Sequence, residues 1–273
     1  MTRRAAVLGH PISHSRSPRL HGHWLKRYGI DGSYTAREVP PGTLEAHLRA
    51  MQAQGFVGAN VTLPHKEEAL ALADHATERA REIGAANTLT FGADGRIEAD
   101  NTDGYGFLAN LRQGAPDWRP GDGPALILGA GGAARALIVA LRDAGVPRIY
   151  LANRTRARAE ALAEAFGPKI EVVDWEAAPA RLPEVALLVN STSQGMTGGP
   201  DFTFDLSQLA PGTIVTDIVY TPLETPLLAT AKAKGCRTVD GLGMLLHQGV
   251  PGFERWFGQR PEVDEDLRRA VLG

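Results

Sequence analysis

The stretch ALILGAGGAARAL, Ala125 to Leu137, decides the architecture of this chain. Four apolar residues run into a glycine cluster, and an alanine-rich amphipathic segment follows. The stretch fits Gly-x-Gly-x-x-Ala through Gly129, Gly131 and Ala134, between a predicted strand and a predicted helix. The first small residue permits a tight turn, the second lets a pyrophosphate approach the backbone, and the third lets helix and strand pack closely. Free N–H groups at the start of the helix then face the phosphates. A bare glycine pattern reads as a tight turn just as readily, but the strand before it and the helix after it favour a dinucleotide loop.

The end of the next strand bears on which dinucleotide. A fold of this kind selective for NAD carries an acid for the ribose hydroxyls about 20 residues on. RIYLANRTRAR, Arg148 to Arg158, offers Asn153, Arg154, Arg156 and Arg158 there, with no carboxylate. A 2′-phosphate takes bidentate hydrogen bonds from guanidinium groups, whereas a cofactor without it gains little from them. NADP is therefore the expected cofactor, with Arg154 and Arg158 as its ligands. For Arg156 a solvated, basic helix start is at least as good a reading.

Outward from the loop, strands and helices alternate. Downstream, RIYLANR, KIEVVD, VALLVNST, TIVTDIVY and CRTVDG read as strands with helices between most of them. Upstream, the turn-rich QGAPDWRPGDGP separates this series from an earlier one. There AAVLG, SYTAREV and FVGANVT are strands, each followed by a helical segment. The third of these segments, PHKEEALALADHATERAREIG, reads as one helix with Pro64 at its first position. NTLTFGADGRIEADN then reads as a hairpin turning at ADG. Alternation of this length predicts βαβ units and mainly parallel sheets. The fold class is α/β with two α/β domains, 1–103 and 104–240, the second Rossmann-like. Residues 241–273 form C-terminal helices, with a break or kink expected near Pro251, because proline removes a helical hydrogen bond and clashes with the preceding turn.

Composition narrows the function classes. The 273 residues are 43% hydrophobic and 22% charged with a formal net charge of −2, which argues against a general nucleic-acid or anionic-membrane surface. A single cysteine, Cys236, cannot form an internal disulfide and fits a reducing compartment. No apolar run approaches the roughly 20 residues of a membrane span, and a cytoplasmic protein is expected. His10, His14, His21 and His23 lie close in sequence but lack acidic or thiolate ligands at metal-site spacing, so no metal is expected.

Short polar segments gather at predicted strand ends in the first half, where ligands bind in open α/β sheets. SHSRSP carries Ser15 and Ser17, NVTLPHK carries Thr62 and Lys66, GAANT carries Asn87, and ADNTDG carries Asn101 and Asp103. Either serine alone reads well as a helix cap. Hydroxyls and amides without clustered arginines suit a polyhydroxylated small molecule rather than a phosphate ester. One lysine and one aspartate suit proton transfer. Beside a dinucleotide loop, the pair suits hydride chemistry, in which an alcohol proton must move as a carbonyl forms.

With those residues collected, the chain resembles the shikimate dehydrogenase family along nearly its whole length. The likeness rests on GHPISHSRSPRLH, GANVTLPHK, GAANTL, DNTDG, GAGGAAR, NRT, NSTSQGM and DGLGMLLHQG, in that order. The resemblance implies NADP-dependent, reversible reduction of 3-dehydroshikimate to shikimate, in aromatic amino-acid biosynthesis. It implies Lys66 and Asp103 as the catalytic pair, and Ser15, Ser17, Thr62, Asn87, Tyr220 and Gln248 as substrate contacts. On the cofactor side it implies Gly129, Ala130, Gly131, Gly132 and Ala133 at the pyrophosphate, and Asn153, Arg154, Thr155 and Arg158 at the adenosine phosphate. Ile218 and Gly241 match positions near the nicotinamide, and Glu78 matches a further cofactor contact. It also implies that the last helices return to the first domain, bringing Gln248 to the substrate. A monomer or homodimer is expected. HGHW, His21 to Trp24, departs from the family, where asparagine commonly follows the first histidine; Gly22 carries no assigned role. The rival readings are a quinate/shikimate dehydrogenase using NAD or both cofactors, and a non-catalytic NADP-binding sensor. A sensor needs no lysine–aspartate pair, and the arginines disfavour strict NAD use.

Overall fold

The structure, a computed structural model, describes residues 2–273. The chain divides into two compact units, one of residues up to Asp103 together with Leu245–Gly273, the other Gly104–Met244.

In the first unit β1 (Arg3–Gly9), β2 (Gly32–Glu38), β3 (Phe56–Val61), β4 (His75–Ala76), β5 (Thr88–Phe91) and β6 (Ile97–Asp100) form one sheet. Its strand order is β2-β1-β3-β5-β6-β4. β1 is parallel to both β2 and β3, whereas β5 runs antiparallel to β3 and to β6. The expected hairpin is thus β5–β6, closed where Gly92 N donates to Arg96 O at 2.8 Å. The helices are α1 (Ser17–Arg27), α2 (Leu44–Ala53), α3 (Lys66–Ala71) and α4 (Glu78–Ile83). α2 shows how the sequence builds its core: Leu44, Leu48 and Met51 recur at helical spacing and bury with Leu8, Ala59 and Val61 of the sheet.

The single helix predicted from Pro64 onward is two short helices with a strand between them. Sheet-edge hydrogen bonds outcompete the helix. Asp74 donates its N–H to Ile97 O at 3.0 Å, and its carboxylate accepts Ile97 N at 2.8 Å. Thr77 N donates to Ala99 O, and the Thr77 hydroxyl then caps α4 at Ala80 N, 3.2 Å away. Pro64 lies before α3, whose N-cap is His65.

The second unit carries β7 (Ala125–Leu128), β8 (Ile149–Ala152), β9 (Ile170–Val173), β10 (Leu187–Asn190), β11 (Ile214–Asp217) and β12 (Arg237–Val239). All pairs are parallel, in the order β12-β11-β10-β7-β8-β9. Every residue of β7, β8 and β10 is buried, which is why these strands read as short continuous apolar runs rather than alternating ones. The helices are α5 (Asp103–Gly114, its first residue counted in the first unit), α6 (Gly132–Ala144), α7 (Arg156–Phe166) and α8 (Pro226–Ala233). The strand order reverses between β7 and β10, the switch point where doubly wound sheets bind nucleotides.

α9 (Leu242–Phe257) contains Pro251 and runs through it as one helix, so the expected break does not occur. An interior proline costs about 3 kcal/mol. Against it stand Leu246, Val250, Phe253, Trp256 and Phe257, all buried, each contributing roughly 1.5–3 kcal/mol. Packing wins. From Leu245 onward the chain belongs to the first unit, where Trp256 Nε1 donates to Leu89 O at 3.0 Å. α10 (Glu265–Leu272) closes the chain, capped by Asp264 on Leu267 N. Among the described residues no helix is long and apolar enough to cross a membrane.

Candidate active site

Lys66 opens α3, and its backbone carbonyl accepts Ala86 N at 2.8 Å, which ties it to the loop carrying Asn87. Its ammonium donates to Asp103 Oδ2 at 2.6 Å. The two side chains keep 24% and 12% of their surface exposed, so the pair is sheltered yet reachable. Asp103 Oδ1 accepts Asn87 Nδ2 at 2.8 Å, and the same amide reaches Gln248 Oε1 at 3.4 Å. The Asn87 amide cannot rotate freely. Its Oδ1 accepts from Thr102 N at 2.8 Å and from the Thr88 hydroxyl at 2.9 Å, so its donor end is aimed at Asp103. Gln248 is fixed from behind, where Thr102 Oγ1 donates to its backbone carbonyl at 2.9 Å.

Of the residues expected at the substrate, the structure therefore brings Lys66, Asp103, Asn87 and Gln248 into one hydrogen-bonded cluster. Thr62 follows the carboxyl end of β3, its N–H bonded to Leu8 O of β1. Ser15 and Ser17 flank Arg16, the N-cap of α1. Neither serine takes the capping role open to it, although Ser17 N donates to Ser15 Oγ at 3.3 Å. Tyr220 follows β11 and belongs to the second unit.

Sequence reasoning missed the supports of this cluster. Thr88 and Thr102, both buried, set the Asn87 amide; the only signal was their place inside GAANT and DNTDG. Asp100 is fully buried at the end of β6. It accepts from Arg79 Nε at 2.7 Å, Thr77 Oγ1 at 2.8 Å and Asn101 N at 2.8 Å, with Arg255 at 3.2 Å. Burial pushes its carboxyl up, but Arg79, Thr77 and Arg255 together hold it below its ordinary value. Asn101 is structural: its Oδ1 accepts Asp103 N and its Nδ2 donates to Ala85 O.

In the second unit the glycine loop has the expected form. Gly129 has φ +105°, and a Cβ there would sit 2.7 Å from Ser191 Oγ, so both conformation and space require glycine. Gly131 and Gly132 differ: neither has a positive φ, and a Cβ at either meets nothing within 4 Å. Their own packing does not demand glycine, which leaves clearance for a group approaching the backbone. Gly131 is the N-cap of α6 and supplies no side-chain cap, so the first N–H groups of that helix suit an anion. Ala134 is buried, as the third small position requires. Asn153 Oδ1 accepts Ala130 N at 3.1 Å and its Nδ2 donates to Thr155 O, joining the glycine loop to the basic segment.

Within that segment the arginines divide. Arg156 is held by Glu160 at 2.7 Å and Asp174 at 2.6 Å. Arg154 and Arg158 are exposed and form no ion pair among the described residues. Ile218 and Gly241 meet directly, since a Cβ on Gly241 would fall 2.5 Å from the Ile218 carbonyl. Glu78 is exposed at the first turn of α4 and belongs to the first unit, whereas the glycine loop belongs to the second. These residues fit a dinucleotide carrying an extra phosphate.

Residues 7–89 match the shikimate dehydrogenase substrate binding domain, residues 121–197 match shikimate / quinate 5-dehydrogenase, and residues 241–271 match the shikimate 5′-dehydrogenase C-terminal domain. A relative from Paracoccus denitrificans named shikimate dehydrogenase (NADP(+)) is 63% identical over 268 residues, covering 98% of this chain and 95% of the relative. The chain belongs to the shikimate dehydrogenase family. A solved family structure, shikimate 5-dehydrogenase from Thermus thermophilus in complex with NADP(H) and shikimate, superposes with a TM-score of 0.89. It is 40% identical, with 99% of each chain covered. Quinate dehydrogenase from Corynebacterium glutamicum in complex with NAD is similar in fold, with a TM-score of 0.92, 31% identity and 99% of each chain covered.

Proposed function

We propose that the chain catalyses the NADP-dependent, reversible reduction of 3-dehydroshikimate to shikimate, with Lys66 and Asp103 handling the proton of the 3-hydroxyl. The observation that carries this reading is the Lys66–Asp103 contact of 2.6 Å, set in the Asn87–Gln248 cluster, within a family whose close relatives are NADP-named. NADPH, when bound, supplies the hydride for the ring carbon bearing the 3-oxygen. In the reducing direction the Lys66 ammonium, held by Asp103, gives its proton to that oxygen. In the oxidising direction the pair takes the proton back.

Ser15, Ser17, Thr62, Asn87, Tyr220 and Gln248 hold the substrate's hydroxyls and carboxylate. Gly129 to Ala133 receive the pyrophosphate, while Asn153, Arg154, Thr155 and Arg158 take the adenosine phosphate. Ile218 and Gly241 flank the nicotinamide, and Glu78 adds a further cofactor contact. The protein works in the cytoplasm as a monomer or homodimer. Quinate turnover with NAD is the second reading, favoured by the likeness to the Corynebacterium glutamicum enzyme. The unpaired Arg154 and Arg158 weigh against it, since a ribose without the 2′-phosphate leaves them without a ligand.

The test is product analysis after incubating the protein with 3-dehydroshikimate and NADPH. Stoichiometric shikimate and NADP supports the reading, and NADPH left unconsumed contradicts it.

A further inference from the structure

Asp217 ends β11 with its carboxylate wholly buried, and neither the proton pair nor any assigned contact uses it. Three donors converge on it. Asn190 Nδ2 and Val219 N reach Oδ1 at 3.0 Å each, and Thr225 Oγ1 reaches Oδ2 at 2.7 Å. An ionised carboxylate only accepts, so it matches this all-donor setting. Burial nevertheless pushes the Asp217 carboxyl up from its ordinary value, against the three hydrogen bonds that lower it. A group raised in the folded state costs stability once it is ionised. A stabilising role alone does not account for such a residue.

What Asp217 holds is informative. Val219, tied to its side chain, is buried, and Ile218 just before it is partly exposed. Ile218 N donates to Asn190 O at 3.1 Å, so the segment 217–219 is gripped by Asn190 through main chain and side chain together. On its other side Ile218 lies against Gly241, where any side chain would strike the Ile218 and Val219 carbonyls. Asn190 also faces the glycine loop's neighbour: its Oδ1 accepts Thr192 N at 3.1 Å and Thr192 Oγ1 at 2.7 Å. Ser191, between them, donates to Leu128 O at 2.8 Å and packs on Gly129. One polar strut therefore joins the ends of β7, β10 and β11 at the switch point of the sheet.

We propose that Asp217, acting through Asn190 and the 217–219 turn, is a positioning residue for the nicotinamide half of the dinucleotide. This rests on the reading that Ile218 and Gly241 flank the nicotinamide and that Arg154 and Arg158 take the adenosine phosphate. The turn's conformation is set by an acceptor, so its loss leaves Val219 N unsatisfied and Asn190 Nδ2 with Gln194 O alone, and lets Ile218 move. The adenosine end, bound by separate residues after β8, is unaffected.

The experiment compares binding of NADP and of adenosine 2′,5′-bisphosphate, which lacks the nicotinamide half, alongside steady-state kinetics. For Asp217→Ala the expected result is a rise of about tenfold in the Kd and KM for NADP with a lower kcat. The Kd for adenosine 2′,5′-bisphosphate and the KM for shikimate stay within about twofold. Asp217→Asn, which keeps an acceptor toward Val219, restores most of the loss. A parallel weakening of the bisphosphate shows general damage and overturns the proposal, as does unchanged NADP binding. If Asp217→Ala does not fold, Asn190→Ala is read by the same split, with equal losses for both ligands overturning the proposal. If the unaltered protein binds neither ligand, the cofactor reading itself fails, which is a distinguishable outcome.

Discussion

Lys66 and Asp103 meet at 2.6 Å across 37 residues of sequence, and Asn87 holds the other oxygen of the same carboxylate at 2.8 Å. The carboxylate is thus oriented before any substrate arrives, and the ammonium with it. Lys66→Ala is expected to lower kcat by about 10²-fold or more with a modest change in KM, since a proton-transfer group acts mainly in the transition state. Steady-state kinetics with shikimate check this. A large rise in KM at unchanged kcat would make Lys66 a binding residue instead.

The division among the arginines gives a second expectation. Arg154→Ala with Arg158→Ala should lower kcat/KM for NADP by about tenfold or more and leave the value for NAD nearly unchanged. Arg156→Ala, whose guanidinium is already engaged by Glu160 and Asp174, should change the NADP-to-NAD ratio less than about twofold, as befits an exposed ion pair. An Arg156 effect equal to the double substitution would contradict the division.

Asp100 makes acid stability specific. Its folded value lies below its ordinary 3.8, so the stability it contributes is complete above that pH and lost as the pH falls through the folded value. Thermal unfolding of the unaltered chain and of Asp100→Asn should differ most near neutral pH and converge as the pH falls through the folded value. A difference that stays constant with pH would show that Asp100 does not act through its charge.

Gly58 tests the seating of α9. A Cβ at this position would strike the indole Nε1 of Trp256 and the Leu89 carbonyl, and would lie 2.6 Å from Trp256 Cδ1. Gly58→Ala should therefore destabilise by roughly 3 kcal/mol, as overpacking against backbone and a locked ring does. Urea denaturation measures it, and a loss under ~1 kcal/mol would mean the helix shifts easily.

Much of this was legible in the residues, for physical reasons. The glycine loop, the missing acid after β8 and the buried strands each leave local marks: small residues, charge and continuous apolar runs. Gln248 leaves none, because nothing near it in sequence says that α9 packs back beside Asn87; only the family resemblance supplied it. Pro251 misled because a local cost of one residue was weighed without the five buried side chains around it. The 66–83 segment misled because helix periodicity does not register the edge of β6, which takes Asp74 to Thr77 into its ladder. Asp100 and Asp217 were passed over since a buried carboxylate looks like any other aspartate until its donors are placed around it.

Substrate and cofactor choice decide the assignment. Initial rates with shikimate and with quinate, each against NADP and NAD, measure it in one set of assays. Shikimate with NADP is expected to give the highest kcat/KM of the four. A higher kcat/KM for quinate with NAD would contradict the assignment.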